Sequence, residues 1–405
     1  MVCRIVYITI NELIDPTKGG VSNKLLTKVA AVNRQCGFCR LINVRKNASN
    51  DQLNEIVIND LVTEIEIGLK GNEWDKNDVV FYSRLSSYLE LKFVNVVRLI
   101  MRYPYASMGL LYMSRRFYKK IIFEHNTKEI EEIRLEIKRK EFAAFSIRPS
   151  GFKFWYREKL MPIINERLLA PKIFANAYAG ACVTTEIAAY ESKRDKKYKT
   201  FVSSNFYDVK ETICTLKSYN HENEKLVLGM LVTTVSSWYG LERLLRSFAP
   251  YQRQFELIIG GLEASNPEIQ RIITRYEITS GLQIAGRLSK KELKGFYKRV
   301  HICFGSLGLH IINLRFASTL KVKESISHGV PVAIGYLEED FYANPEFEPF
   351  YLQLPNDDSL VNFELLRQFA IRFYSDPQNQ LTLRELALKY IDVDVKVHEL
   401  LKNVS

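Results

Sequence analysis

Ser318-Thr319-Leu320-Lys321-Val322-Lys323-Glu324-Ser325-Ile326-Ser327-His328-Gly329-Val330-Pro331-Val332-Ala333 is the stretch on which the reading of this chain turns. Ser and Thr start helices, because a side-chain oxygen at the cap can accept from an orphan N–H of the first turn. The run from Leu320 reads as a short amphipathic helix. Gly329 supplies the conformation in which helices commonly stop, and Pro331 leads into an apolar strand.

Working outward, the same alternation repeats. Strands are expected over 226–235, 255–259, 282–285, 300–304 and 330–334, with helices over 240–247, 267–276, 290–299 and 320–328. An earlier series opens with a strand over 4–10 and a helix over 22–34 that keeps Leu25, Leu26, Val29 and Val32 on one stripe. Further strands are expected over 39–44, 78–82, 120–124, 181–185 and 200–204. Between the two series, residues 217–225 have the composition of a linker. Strand alternating with helix predicts mainly parallel sheets covered on both faces. The expected fold class is α/β, with two Rossmann-like doubly wound domains facing a central cleft and ligands at the strand C-terminal edges. The domains are placed at 1–210 and 222–380, with a helical segment at 381–405.

Composition restricts function as well as fold. Hydrophobic residues make up 47% and charged residues 25% of the 405, which excludes a disordered chain because there is ample apolar surface to bury. No run reaches the roughly 18 apolar residues that a membrane span needs. The N-terminus has no secretory pattern. A cytoplasmic protein is expected. The formal net charge of +11 favours an anionic partner such as nucleic acid, acidic lipid or a phosphorylated ligand. Cys36-Gly37-Phe38-Cys39 is a C-x-x-C that follows a helix instead of opening one, so buried thiols are expected in place of a redox pair.

Asp15-Pro16-Thr17-Lys18-Gly19-Gly20-Val21-Ser22 joins the first strand to the first helix, and two glycines allow close backbone approach to an anion at a helix N-terminus. Together with the segment at 318–333, this loop resembles glycosyltransferase family 4, whose donor-binding helix reads L-K-x-x-E-A-x-A-x-G-x-P-V-V. Other segments resemble family motifs in the expected order: Glu124-His125-Asn126-Thr127, Ala181 to Glu186, Ser204-Asn205-Phe206-Tyr207-Asp208, Ser237-Trp238-Tyr239-Gly240-Leu241-Glu242-Arg243, and the stretch around Gly286-Arg287-Leu288. The resemblance covers nearly the whole chain.

The resemblance implies a GT-B fold, with the first domain on the acceptor side, the second holding the donor, and the C-terminal helix crossing back. It implies a retaining glycosyltransferase of the hexosyl type that carries a sugar from a nucleotide-sugar donor to a hydroxyl of a saccharide or lipid-linked saccharide. Cell-surface polysaccharide or glycolipid assembly would be the setting. Glu324 would accept from ribose hydroxyls. Ser318, Thr319 and Leu320 would hold the diphosphate through their backbone, aided by the charge of Lys321. Gly19 and Gly20 would close over the diphosphate and sugar, Arg287 would lie near the base, and His125 would face the donor sugar as the catalytic residue. No metal or other cofactor is required.

The chain also departs from the family pattern. Phe316 stands where the first of the family's two glutamates is usual, with His310 and Arg315 as nearby polar side chains. The usual Arg and Lys that neutralise the diphosphate are missing from residues 232–237, which leaves Arg243, Lys321 or Lys323 as substitutes. A catalytically inactive nucleotide-sugar-binding homologue or partner subunit is the alternative. Asp392-Val393-Asp394 matches a metal-binding D-x-D, but lies far from the nucleotide pattern and is read as chance. Two basic-aromatic segments, 114–120 and 152–159, fit a solvated helix face, an anionic membrane surface that would make the protein peripheral at the inner face, or single-stranded nucleic acid. No nucleic-acid motif accompanies them, so a nucleic-acid partner is not expected.

Overall fold

The computed structural model describes residues 4–10, 21–47, 52–69, 74–134, 160–214 and 216–404. The chain divides into two compact units, residues 1–203 with 397–405, and residues 204–396.

The first unit is built on an eight-stranded sheet in the order β3-β4-β2-β1-β5-β6-β7-β8. Its strands are β1 (Ile5–Ile10), β2 (Cys39–Asn47), β3 (Leu53–Val57), β4 (Val62–Gly68), β5 (Arg98–Arg102), β6 (Ile121–His125), β7 (Ala179–Cys182) and β8 (Thr200–Val202). All pair in parallel except β3, which runs antiparallel to β4 at the edge. Helices α1 (Val21–Cys36), α2 (Trp74–Lys92), α3 (Met108–Arg116), α4 (Met161–Leu168), α5 (Ala170–Asn176) and α6 (Thr185–Arg194) connect them. β1 and the first three residues of β6 read as apolar runs because strands between two helical layers are buried on both faces, whereas β2 mixes buried Leu41, Ile42 and Val44 with Arg40, Arg45 and Lys46.

One expected strand is a helix. Residues 78–82 lie inside α2. Phe81, Leu85 and Leu89 are at most 1% exposed, while Val79 and Val80 are 36% and 40% exposed. The burial period is four, so the apolar pair that suggested a strand is the solvent edge of a helix. The β3–β4 hairpin and β5 were not expected. The hairpin turns on Asn59, whose Oδ1 accepts from the N–H groups of Leu61 and Val62.

The second unit has six parallel strands in the order β11-β10-β9-β12-β14-β16. These are β9 (Leu226–Leu231), β10 (Phe255–Gly260), β11 (Leu282–Ile284), β12 (Ile302–Phe304), β14 (Val332–Ile334) and β16 (Tyr351–Gln353). A separate two-stranded piece pairs β13 (Phe316–Ala317) with β15 (Leu337–Glu338). The helices are α7 (Leu241–Phe248), α8 (Pro267–Arg275), α9 (Lys290–Arg299), α10 (Leu320–Ser327), α11 (Glu339–Ala343), α12 (Phe363–Tyr374) and α13 (Gln378–Tyr390). The last helix, α14 (Val393–Val404), starts in this unit, and its residues from Val397 count with the first. Each expected element of the second series is present. The polar stretch 217–225 is held against the second unit, where Lys217 Nζ donates to the carbonyls of Tyr297 and Val300.

Candidate functional site

The strand order of the second unit reverses direction between β9 and β12. In doubly wound sheets, ligands bind beyond the carboxyl ends of the strands at that reversal. The loops that leave the two strands meet there. Leu307 N donates to Tyr239 O at 2.9 Å and Gly308 N to Trp238 O at 3.2 Å. Gly240 holds φ at 70°, and a Cβ on it would lie 2.6 Å from the backbone carbon of Leu307, so only glycine permits this crossing.

Helix α10 begins beside these loops with an open end. Thr319 occupies its N-cap position, yet no side chain caps the first turn. The Thr319 hydroxyl is instead 2.6 Å from the Tyr336 hydroxyl. Ser318 is committed elsewhere as well: its Oγ accepts from Asn205 N at 2.8 Å, and its carbonyl accepts from Asn205 Nδ2. A helix N-terminus without a side-chain cap keeps its N–H groups and partial positive charge for an external anion.

Lys321 lies in the same first turn. Its ammonium is 4.5 Å from the centre of the Tyr239 ring. Nζ is buried and has no hydrogen-bond partner. Burial pushes its pKa down to about 8, against an opposing pull from Glu324. Tyr239 replaces the histidine usual in the resembling motif and here provides the aromatic face under the lysine.

The other candidate cations are taken. Lys323 is fully buried, 3.0 Å from Glu338 Oε1 and in contact with Asp340. Arg243 is 4% exposed and donates to the carbonyls of Leu307 (2.8 Å), Pro355 (3.0 Å) and Ser359 (2.7 Å). It braces the two loops. Arg287 is exposed on the turn that opens at Gly286, just before the capping box of α9. Of Arg243, Lys321 and Lys323, only Lys321 lacks a hydrogen-bond partner.

Glu324 is mostly buried, and its Oε1 accepts from the Tyr207 hydroxyl at 2.6 Å. Burial raises its pKa, opposed by that hydrogen bond. Tyr207 was not anticipated as a partner, because 117 residues separate it from Glu324. Phe316 packs edge-on against Tyr342, with ring centres 5.1 Å apart. An aromatic ring occupies the position where the resembling family carries a carboxylate.

In the first unit, His125 has no exposed surface. Its Nδ1 is 3.0 Å from Glu129 Oε1 and its Nε2 is 3.0 Å from the Tyr198 hydroxyl, so both ring nitrogens are engaged. Burial lowers its pKa. Gly19 and Gly20 lie outside the described residues, as does the basic-aromatic segment 152–159. In the other basic-aromatic segment, Arg116 forks onto Glu90 at 2.7 and 2.5 Å, and Lys119 donates to the carbonyls of Ala175 and Ala177. Arg115, Tyr118 and Lys120 are left exposed.

Two further motifs resolve as structural. Asp392 accepts from Val209 N, and Lys210 Nζ bridges to Asp392 and Asp394 at 3.6 and 2.6 Å, so the D-x-D anchors backbone. Cys36 and Cys39 are free thiols, and burial raises the Cys39 pKa, the opposite of an activated thiolate.

No protein-family model matches the sequence, and no curated protein does. Solved structures do match over the full length. Sucrose-phosphate synthase from Thermosynechococcus elongatus superposes with a TM-score of 0.65 at 12% identity, covering 99% of this chain and 98% of that one. The fold is that of the GT-B glycosyltransferases. The lipopolysaccharide outer core galactosyltransferase WaaB matches with a TM-score of 0.65 at 10% identity and 99% coverage of both chains. Anabaena Alr3699/HepE in complex with UDP matches at 0.60, with 10% identity and 98% coverage of both. The GT-B fold expected from the sequence is therefore present.

Proposed function

We propose that this chain is a glycosyltransferase that moves a sugar from a nucleoside-diphosphate sugar to a hydroxyl of a saccharide or lipid-linked saccharide, with retention at the anomeric carbon. The observation that carries the reading is Lys321. A buried ammonium with no hydrogen-bond partner, in the uncapped first turn of α10, has N–H donors to spare for an external acceptor. A diphosphate supplies both charge and acceptor oxygens. Similar folds support the reading, since WaaB is a galactosyltransferase and Alr3699/HepE was solved in complex with UDP.

In this mechanism the helix N-terminus and Lys321 stabilise negative charge as it develops on the departing diphosphate, leaving an oxocarbenium-like sugar for the acceptor oxygen. Glu324 accepts from the ribose, and Arg287 lies near the base. The step as proposed calls on no metal. The acceptor is placed in cell-surface polysaccharide or glycolipid assembly, at the cytoplasmic face of a membrane. Among the described residues no helix is long and apolar enough to cross one, so association would be peripheral.

A second reading, a nucleotide-sugar-binding homologue without turnover, is favoured by Phe316 and by the double engagement of His125. A thermal-shift screen against UDP, GDP, ADP and CMP tests both, because a ligand specific to the folded state raises its melting temperature. No shift with any nucleotide overturns both readings. A shift without hydrolysis or transfer from the matching nucleotide sugars selects the second.

A further inference from the structure

Beside β6, the first unit holds a buried cluster that is short of positive charge. His125, Glu129, Glu166 and Glu191 are 0%, 3%, 1% and 0% exposed. Among the described residues the cation in contact with them is Arg194, which contacts Glu166 through Nη2 and stands 3.0 Å from Glu191 Oε2 and 3.5 Å from Glu129 Oε2 through Nη1. Glu166 is otherwise satisfied by the Ala106 N–H and the Tyr103 hydroxyl. Glu129 Oε2 has no hydrogen bond. Three carboxyl groups against one guanidinium, in a site closed to water, call for further positive charge, supplied either by protons or by a bound cation.

The donors are arranged to receive them at one point. His125, Glu129 and Glu191 each offer a ligand atom, all within 4.8 Å of one another. His125 Nδ1 is 3.0 Å from Glu129 Oε1 and 4.0 Å from Glu191 Oε2. Its other nitrogen, Nε2, faces the Tyr198 hydroxyl at 3.0 Å, the outer contact that fixes a ligating imidazole in place. Tyr103 and Phe174 close over the ring, with centres 5.0 and 5.5 Å away. One imidazole and two carboxylates suit first-row transition ions better than Ca²⁺ or Mg²⁺, which prefer all-oxygen sets.

We propose that His125, Glu129 and Glu191 bind one divalent first-row cation of the Zn²⁺ or Mn²⁺ kind, which holds the first unit together. Arg194 keeps its pairing with Glu166 and Glu191, and Tyr198 orients the imidazole. His125 then acts as a ligand, an occupation different from the sugar contact that the resemblance implies.

The test uses tag-free, full-length protein stripped with a chelator, dialysed, and reloaded with Zn²⁺ or Mn²⁺. Metal content is read by mass spectrometry and stability by thermal denaturation from pH 6 to 9. One cation per chain and a melting temperature raised by several degrees are expected. Glu191→Gln and, separately, Glu129→Gln should lose the cation and its stabilisation while remaining folded. Absence of a stoichiometric cation, or a melting temperature indifferent to it, overturns the proposal and leaves protons as the balancing charge. Neither readout uses a nucleotide sugar, so failure here is distinct from failure of the glycosyltransferase reading.

Discussion

Lys321 Nζ stands 4.5 Å from the centre of the Tyr239 ring, buried and with no hydrogen-bond partner. A ring face attracts an ammonium by about 0.5–2 kcal/mol, but it accepts none of the three N–H bonds in the usual sense. The lysine is thus held ready at a cost in solvation, and its lowered pKa expresses that cost.

Lys321→Met should leave the melting temperature unchanged or slightly raised and weaken nucleoside-diphosphate binding about 10- to 100-fold, from charge-assisted hydrogen bonds of about 1.5–3 kcal/mol. Wild-type affinity should fall as pH rises through about 8, where the free lysine loses its proton. The variant should show no such fall. Calorimetric titration from pH 7 to 9 reads both effects.

Glu324→Ala should lower stability as well as nucleotide affinity. It leaves the Tyr207 hydroxyl without its acceptor, at about 1–3 kcal/mol. Tyr207→Phe removes the hydroxyl itself and should cost less. If Glu324 holds the ribose, Tyr207→Phe will retain nucleotide that Glu324→Ala has lost. Denaturant titration and binding on both variants separate the two contributions.

Lys323→Met should be the most damaging of these changes, at about 3–5 kcal/mol, because it leaves buried Glu338 and Asp340 without their shared cation. The loss should be smaller at pH 5 than at pH 8. Without Lys323 the native carboxyls hold protons to higher pH than in the unfolded chain, and that gain vanishes as they ionise. Urea melts at the two pH values measure it.

Arg115, Tyr118 and Lys120 are exposed, and Leu91 and Val94 nearby in sequence to the end of α2 are 77% and 76% exposed. The protein should pellet with anionic vesicles at low salt, stay with the supernatant of neutral ones, and be released by high salt. Arg115→Glu with Lys120→Glu should weaken pelleting, since each basic residue near such a surface contributes about 1 kcal/mol. Equal pelleting with both vesicle types would mean that charge is not the attraction.

Within the second unit, the main strands and helices between residues 226 and 334 were legible, whereas β13, β15, α11, β16 and α12 were not. Its strands are short apolar runs closed by glycine or proline, and its helices carry local start signals such as Ser289 with Glu292 in α9. The first unit was less so. Apolar Val79 and Val80 imitate a strand in a helix whose buried face is set by Phe81 and Leu85. The site followed the same division. The segment 318–324 was visible because it is contiguous. Its partners were not: Tyr207, Asn205 and Tyr336 reach it through contacts that no local pattern encodes. Which lysine stays unpaired was equally hidden, because Lys321 and Lys323 differ only in the direction that α10 points them. The buried cluster was hidden in the same way, because His125 ends β6 and Glu129 lies past the turn that follows, so no helical or strand period links the two.

Asp340 receives three donors, Lys323, the Ser204 hydroxyl at 2.9 Å and the Lys396 ammonium at 2.7 Å. The last two mark where the chain enters the second unit and where it leaves. One carboxylate therefore clasps both ends of an inserted stretch. A stretch whose beginning and end meet can be treated as a cassette. It can be excised and expressed alone, exchanged for a counterpart, or circularly permuted by joining its ends and opening an exposed loop elsewhere, with little change to its interior.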